Sequence, residues 1–165
     1  VKKVNKIVLL GFIIIYILIL LLSRNPLIVD DVHPQNTCST LLEKADILYV
    51  IPLQENSSIV YNHKWCKQIK SLNKTLGLHG IKHSYHEFGK PVSSEELTQA
   101  TSAFEKCFDQ KPVLFRPPYN LITQENKEKV ELLNMTIYNK RFFEHPYCHC
   151  NPQSFMKVLN LILFC

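Results

Sequence analysis

The hydrophobic pattern divides the chain into one long apolar run and a series of shorter ones. Residues 7–22 carry no charge and are bracketed by Lys6 and Arg24. That is close to the minimum length of a membrane-crossing helix, with flanking basic side chains able to reach outward. The lysines before the run predict a cytoplasmic N-terminus and an exported remainder. A cleaved leader is the rival reading, but Ser23-Arg24-Asn25-Pro26 offers no small-x-small cleavage site. The expected organisation is therefore residues 1–24 as cytoplasmic N-terminus and membrane anchor, and residues 25–165 as one exported domain.

In the second part, short apolar runs alternate with amphipathic stretches. Residues 26–31 read as a strand ending in two acids. Residues 46–52 form a continuous apolar run closed by proline, as in a strand buried on both faces. Residues 59–73 read as a helix with Trp65, Ile69 and Leu72 on one side. Residues 75–79 form a short strand running into His79. Ser93 or Ser94 with Glu96 marks a helix start, and Leu97, Ala100, Phe104 and Phe108 continue its apolar face. Residues 112–116 form another strand. A helix over residues 123–133 follows, with Glu125 and Lys129 as a favourable i,i+4 pair. Residues 135–138 and 142–145 read as final strands, and residues 155–164 as an apolar terminal element. Strand–helix alternation of this kind predicts an α/β fold with a parallel sheet or barrel, whose ligands bind at the carboxyl ends of the strands.

Composition changes this picture little. The net charge is +5, but Lys2, Lys3, Lys6 and Arg24 supply most of it. The remainder is nearly neutral and has no basic stripe, which argues against nucleic-acid binding. No protein partner is implied. Six cysteines, at 38, 66, 107, 148, 150 and 165, fit disulfides in an exported domain, and their 15 possible full pairings stay open. Sequons at Asn56, Asn73 and Asn134 fit export as well.

The candidate chemistry sits at the predicted strand ends. His79 and His83 are at i and i+4, so on a helical turn they share a face and can grip one metal ion. Two ordinary surface histidines are the bland alternative. Gly80 stands where a zincin has glutamate, and no Cys-x-x-Cys supports a nucleobase deaminase. His86 is a reserve ligand. Asp30 and Asp31 follow an apolar strand, and adjacent acids can take separate jobs because successive side chains diverge. A turn or cap is the plainer reading. Arg116 opens the stiff Arg116-Pro117-Pro118-Tyr119 loop and is suited to orient a carboxylate. His145 ends a strand and is suited to general-acid work. Cys148-His149-Cys150 beyond it suits a metal site, a disulfide or an ordinary loop.

The order of these signals resembles the polysaccharide deacetylase (NodB-like) family over most of residues 26–150. Its prokaryotic branch in which a short strand leads into Asp-Asp-Val is the best match. The resemblance implies a distorted (β/α) barrel, here short or incomplete, and one divalent metal ion, zinc before cobalt or another ion. Asp31, His79 and His83 would be the metal ligands, Asp30 the general base and Arg116 its orienting partner. His145 would be the general acid, with His149 as the alternative, and Tyr119 would line the substrate groove. The implied reaction is metal-dependent removal of N-acetyl groups from a cell-surface or extracellular carbohydrate. The same fold without catalysis, as a glycan-binding envelope protein, is the alternative. A third reading is a small disulfide-rich protein whose motifs are coincidental. Three departures stand out: Gly80 replaces the usual Ser or Thr, Ile28-Val29 replaces Thr-Phe, and the family's fourth motif has no counterpart.

Overall fold

A computed structural model describes residues 6–22, 26–36, 38–138, 148–150, 160 and 165. Its centre is a six-stranded parallel sheet. The strands in chain order are β1 (Ile28–Val32), β2 (Ile47–Val50), β5 (Thr75–His79), β6 (Leu114–Arg116), β7 (Thr136–Ile137) and β8 (Cys148–His149). Across the sheet the order is β7-β6-β5-β2-β1-β8. A separate antiparallel hairpin pairs β3 (Leu53–Gln54) with β4 (Ser57–Ser58). The expected α/β class is therefore present. The described strands make an open sheet with β7 and β8 at its edges, not a closed barrel.

The continuous apolar run of β2 is explained by its place: Ile47, Leu48, Tyr49 and Val50 are all buried, between β1 and β5. Alternation along the strands sorts the core into two faces. Val29, Leu48, Val50, Leu76, Leu78 and Phe115 belong to the larger cluster, shared with the helices. Ile28, Ile47 and Tyr49 belong to the smaller one, with Leu114 and Tyr138 packed against it. Gly77 is opposite Tyr49 in the ladder, and a Cβ there would lie 2.5 Å from the Tyr49 ring. Only glycine leaves that ring its place.

The helices are α1 (Lys6–Leu22), α2 (Ser39–Lys44), α3 (His63–Ser71), α4 (Ser94–Phe108) and α5 (Gln124–Leu132). Ser93 caps α4, its hydroxyl accepting the Glu96 N–H at 3.0 Å. The expected apolar face of α4 is buried, through Leu97, Ala100, Phe104 and Phe108. Cys107 on that helix is bonded to Cys66 on α3, joining the two helices covalently. Thr123 caps α5, and Lys129 Nζ lies 2.6 Å from Glu125 Oε1. Asn126 on α5 is fully buried. It donates to the Phe88 and Lys90 carbonyls and accepts the Val92 N–H at 3.0 Å, which pins the loop after β5.

The expected membrane span finds no support. Residues 6–22 form a helix, but among the described residues no helix is long and apolar enough to cross a membrane. The predicted strand over residues 142–145, with His145, lies outside the described residues, as does most of the predicted element over residues 155–164.

Candidate active site

Strands β1, β5 and β6 bring their residues to one place. Asp30 is fully buried on β1, beside Arg116 from the end of β6, whose Nε lies 2.7 Å from Asp30 Oδ2. Asp30 Oδ1 is buried and makes no hydrogen bond within the described residues. Burial pushes the Arg116 guanidinium below its usual range, and the Asp30 charge works in the opposite direction. His79 ends β5, in register with Arg116, and is 2% exposed. Its Nδ1 lies 3.0 Å from the Arg116 carbonyl oxygen. A carbonyl only accepts, so Nδ1 carries a proton, the arrangement that leaves Nε2 as the ring atom a metal would take.

Asp31 is placed differently from its neighbour. The β1–β2 register breaks between Val29 and Val32, and Asp31 has φ +60°. This bulge re-aims the second acid, as bulges beside sites commonly do. Asn36 supports the bend by donating from Nδ2 to the Asp31 carbonyl at 2.7 Å, and Gln54 from the hairpin holds the Asn36 amide. Asp31 Oδ1 lies 3.3 Å from His79 Nε2 and 2.9 Å from His83 Nε2. Asp31 Oδ2 lies 2.9 Å from His149 Nδ1. Burial works to raise the Asp31 pKa, but the hydrogen bonds with His149, His79 and His83 outweigh it and hold the carboxyl well below the usual range. Burial likewise works to lower His83, and the Asp31 carboxylate prevails and raises it.

The shared helical turn expected for His79 and His83 is corrected. His79 ends a strand and His83 sits in the loop beyond it, with φ +57°. Gly80 starts that loop at φ +65°, and a Cβ there would come within 2.5 Å of both Glu87 Oε2 and Pro118 Cγ. This accounts for glycine where the family usually has Ser or Thr. Glu87 fixes the loop by accepting the Ile81 and Lys82 N–H groups at 2.9 and 2.8 Å. Neither Asn36 nor Glu87 carried a signal in the sequence beyond being polar residues in predicted loops.

Asp31, His79 and His83 each present a ligand atom, and these lie within 4.8 Å of one another. An anionic oxygen and two imidazole nitrogens, one with its tautomer fixed by the Arg116 carbonyl, are a donor set that fits zinc, cobalt or a similar divalent ion. His86 is not among them: its ring stacks on Tyr85 at 3.8 Å. Tyr119 is about half exposed, 5.3 Å from the His83 ring, on the accessible side of the cluster. His33 is a buried histidine that sequence reading passed over. It accepts the Gln35 N–H through Nδ1, and burial lowers its pKa while its interaction with the Ser57 backbone works to raise it.

His149 was one of several open readings, and its place is now defined. It lies on β8, in register with Asp30, on the open flank of the acid pair. Cys150 is bonded to Cys38 and Cys148 to Cys165, so both neighbours of His149 are in disulfides.

A parallel α/β sheet here brings together one acid, two histidines and a buried Asp–Arg pair, a donor set for a divalent ion beside a fixed carboxylate. The chain belongs to the polysaccharide deacetylase family, which matches it over residues 27–138. No protein of curated function matches it in sequence. Its fold is similar to a family 4 carbohydrate esterase from Streptomyces lividans, at TM-score 0.57 and 16% identity, covering 72% of this chain and 63% of that one. It is also similar to a mutant, with restored enzymatic activity, of a CE4 family pseudoenzyme from Bacillus anthracis, at TM-score 0.55 and 21% identity, covering 70% and 43%. A polysaccharide deacetylase from Bacillus cereus matches at TM-score 0.51 and 17% identity, covering 68% and 57%. The chain thus spans less than two thirds of the length of these structures.

Proposed function

We propose that this chain is a metal-dependent hydrolase that removes N-acetyl groups from an extracytoplasmic carbohydrate. The observation that carries the reading is the Asp31, His79 and His83 cluster directly beside the buried Asp30–Arg116 pair. Asp31, His79 and His83 hold the ion, zinc first and cobalt next. When bound, such an ion polarises an amide carbonyl and acidifies water.

The rest of the work falls to the chain's own groups. Arg116 fixes the Asp30 carboxylate through Oδ2, so that Oδ1 is the oxygen able to take a proton from the attacking water. With Nδ1 directed to Asp31 Oδ2, His149 keeps Nε2 for the leaving amine, and it takes the general-acid role ahead of His145. Tyr119 offers an exposed ring beside His83 for a sugar face. Three disulfides support folding in an oxidising, exported compartment.

The experiment is metal analysis of the purified chain beside Asp31→Ala and His79→Ala, followed by acetate release from N-acetylated glycan oligomers. About one divalent ion per chain, lost in both variants, with acetate release only from the loaded wild type, is the expected outcome. A folded chain that takes up no zinc or cobalt sinks the reading. The second reading, a glycan-binding protein without turnover, is favoured by the likeness to a pseudoenzyme fold. It predicts metal and oligomer binding with no acetate release.

A further inference from the structure

The Asp31 carboxylate is divided between two tasks. Oδ1 faces His79 and His83, while Oδ2 is 2.9 Å from His149 Nδ1. The backbone of Asp31 is left-handed and off the regular pleat, so the strand alone does not fix where its carboxylate turns. Something must hold Oδ2, and among the described residues the group that does so is His149.

His149 itself stands on weak ground. Strand β8 has two residues at the sheet edge, paired only as Val29 with Cys148 and Asp30 with His149. A strand that short does not hold itself in place. Three restraints surround it. Cys148 is tied to Cys165, and Cys150 is tied to Cys38, which follows the turn leaving β1. Asn160 brackets the backbone of His149, donating to its carbonyl at 2.9 Å and accepting its N–H at 3.3 Å. Through the Cys38–Cys150 bond the covalent path from Asp31 to His149 is only the short stretch from 31 to 38 and the step from 150 to 149, which limits how far the two can separate while the bond is intact. The third disulfide, Cys66–Cys107, joins α3 to α4 and touches none of this.

We propose that His149 is a positioning residue for the metal ligand Asp31, and that the disulfides on either side of it make the metal site dependent on an oxidised β8. The inference rests on the reading of Asp31, His79 and His83 as metal ligands. A hydrogen-bonded partner behind a ligand commonly contributes 10- to 100-fold in metal affinity, roughly the size of effect expected here.

The test is a titration of cobalt into the metal-free full chain, followed by visible absorption. His149→Leu removes the donor and weakens cobalt binding by about 10- to 100-fold. His149→Asn keeps an amide N–H near the position of Nδ1 and restores affinity to within a few-fold of wild type. Cys148→Ser with Cys165→Ser, and Cys38→Ser with Cys150→Ser, each weaken binding by about 10-fold. Cys66→Ser with Cys107→Ser lowers the thermal midpoint but leaves cobalt affinity unchanged. Wild-type affinity in His149→Leu overturns the role of His149. Equal weakening by all three disulfide variants overturns the coupling, because it reports general loosening. A wild-type chain that binds no cobalt overturns the metal-site reading, and this one with it.

Discussion

The two halves of the site are built by different physics. Asp30, His79 and Arg116 sit on β1, β5 and β6, buried to 3% exposure or less, and their spacing follows from strand register. Asp31, His83 and Tyr119 all have left-handed backbones, at φ of +60°, +57° and +58°, and are partly exposed. That second half is held by local devices: a bulge, a glycine, the Glu87 carboxylate, the Asn36 amide and, at His149, two disulfides. On the proposed reading, core packing fixes the base, its arginine and one ion ligand, whereas local devices fix the other two ligands, the acid and the aromatic ring. Backbone strain of this kind costs about 1–3 kcal/mol per residue and persists where surrounding structure over-determines it.

The largest effect comes from breaking the rigid half. Asp30→Asn leaves the Arg116 charge buried opposite a neutral amide. Stability falls by about 3–5 kcal/mol, as for other buried pairs broken on one side. Acetate release falls by roughly 100- to 10,000-fold with loss of the base. Adding Arg116→Met to this variant removes the stranded charge, so chemical denaturation shows most of the stability returning while activity stays lost. If the double variant is no more stable than the single one, the pair is not what closes this half.

A smaller effect is expected from the other half. Gly80→Ala forces a Cβ into a left-handed backbone and against Glu87 and Pro118. The expected loss is on the order of 1–3 kcal/mol in denaturant unfolding. His83 moves with the loop, so zinc affinity drops while the Asp30–Arg116 pair remains. An unchanged zinc affinity in this variant means that the loop and the ligand are uncoupled.

The same division separates what could be read in the sequence from what could not. The runs that became β1, β2, β5 and β6 and the caps of α4 and α5 are local patterns, and local physics reads them. Asp30, Asp31, His79, His83 and Arg116 were all marked by their positions at predicted strand ends. The loop conformation of His83 was not readable, because an i,i+4 spacing fits a helical turn as well as a bend. The β3–β4 hairpin turns through Glu55 and Asn56, both at positive φ, and glutamate gives no hint of such a turn. α2 is a single short helix capped by Cys38 without a side-chain hydrogen bond, so no cap residue announced it. Disulfide pairing is a matter of long-range contact. Only the sheet order, with β8 beside β1, brings Cys148-His149-Cys150 to Asp31. The expected membrane span rests on a run at the margin of crossing length, and no described helix is long and apolar enough to cross.

The smallest effect sharpens the contrast most, because it touches one hydrogen bond. Asn36→Ala removes the donor to the Asp31 carbonyl and frees Gln54, without altering any ligand. The expected cost in overall stability is about 1 kcal/mol, the ordinary net value of one hydrogen bond. The bulge is what aims Asp31, so the same change is expected to weaken zinc binding several-fold while the ladder of β1 with β2 stays protected from hydrogen exchange. Asn36→Asp removes the donor but keeps the size, and it adds a negative charge beside the Asp31 carbonyl, so it weakens zinc binding at least as much as alanine. Weakening by alanine with none by aspartate would mean that Asn36 acts by filling space, and that the bulge holds Asp31 without it.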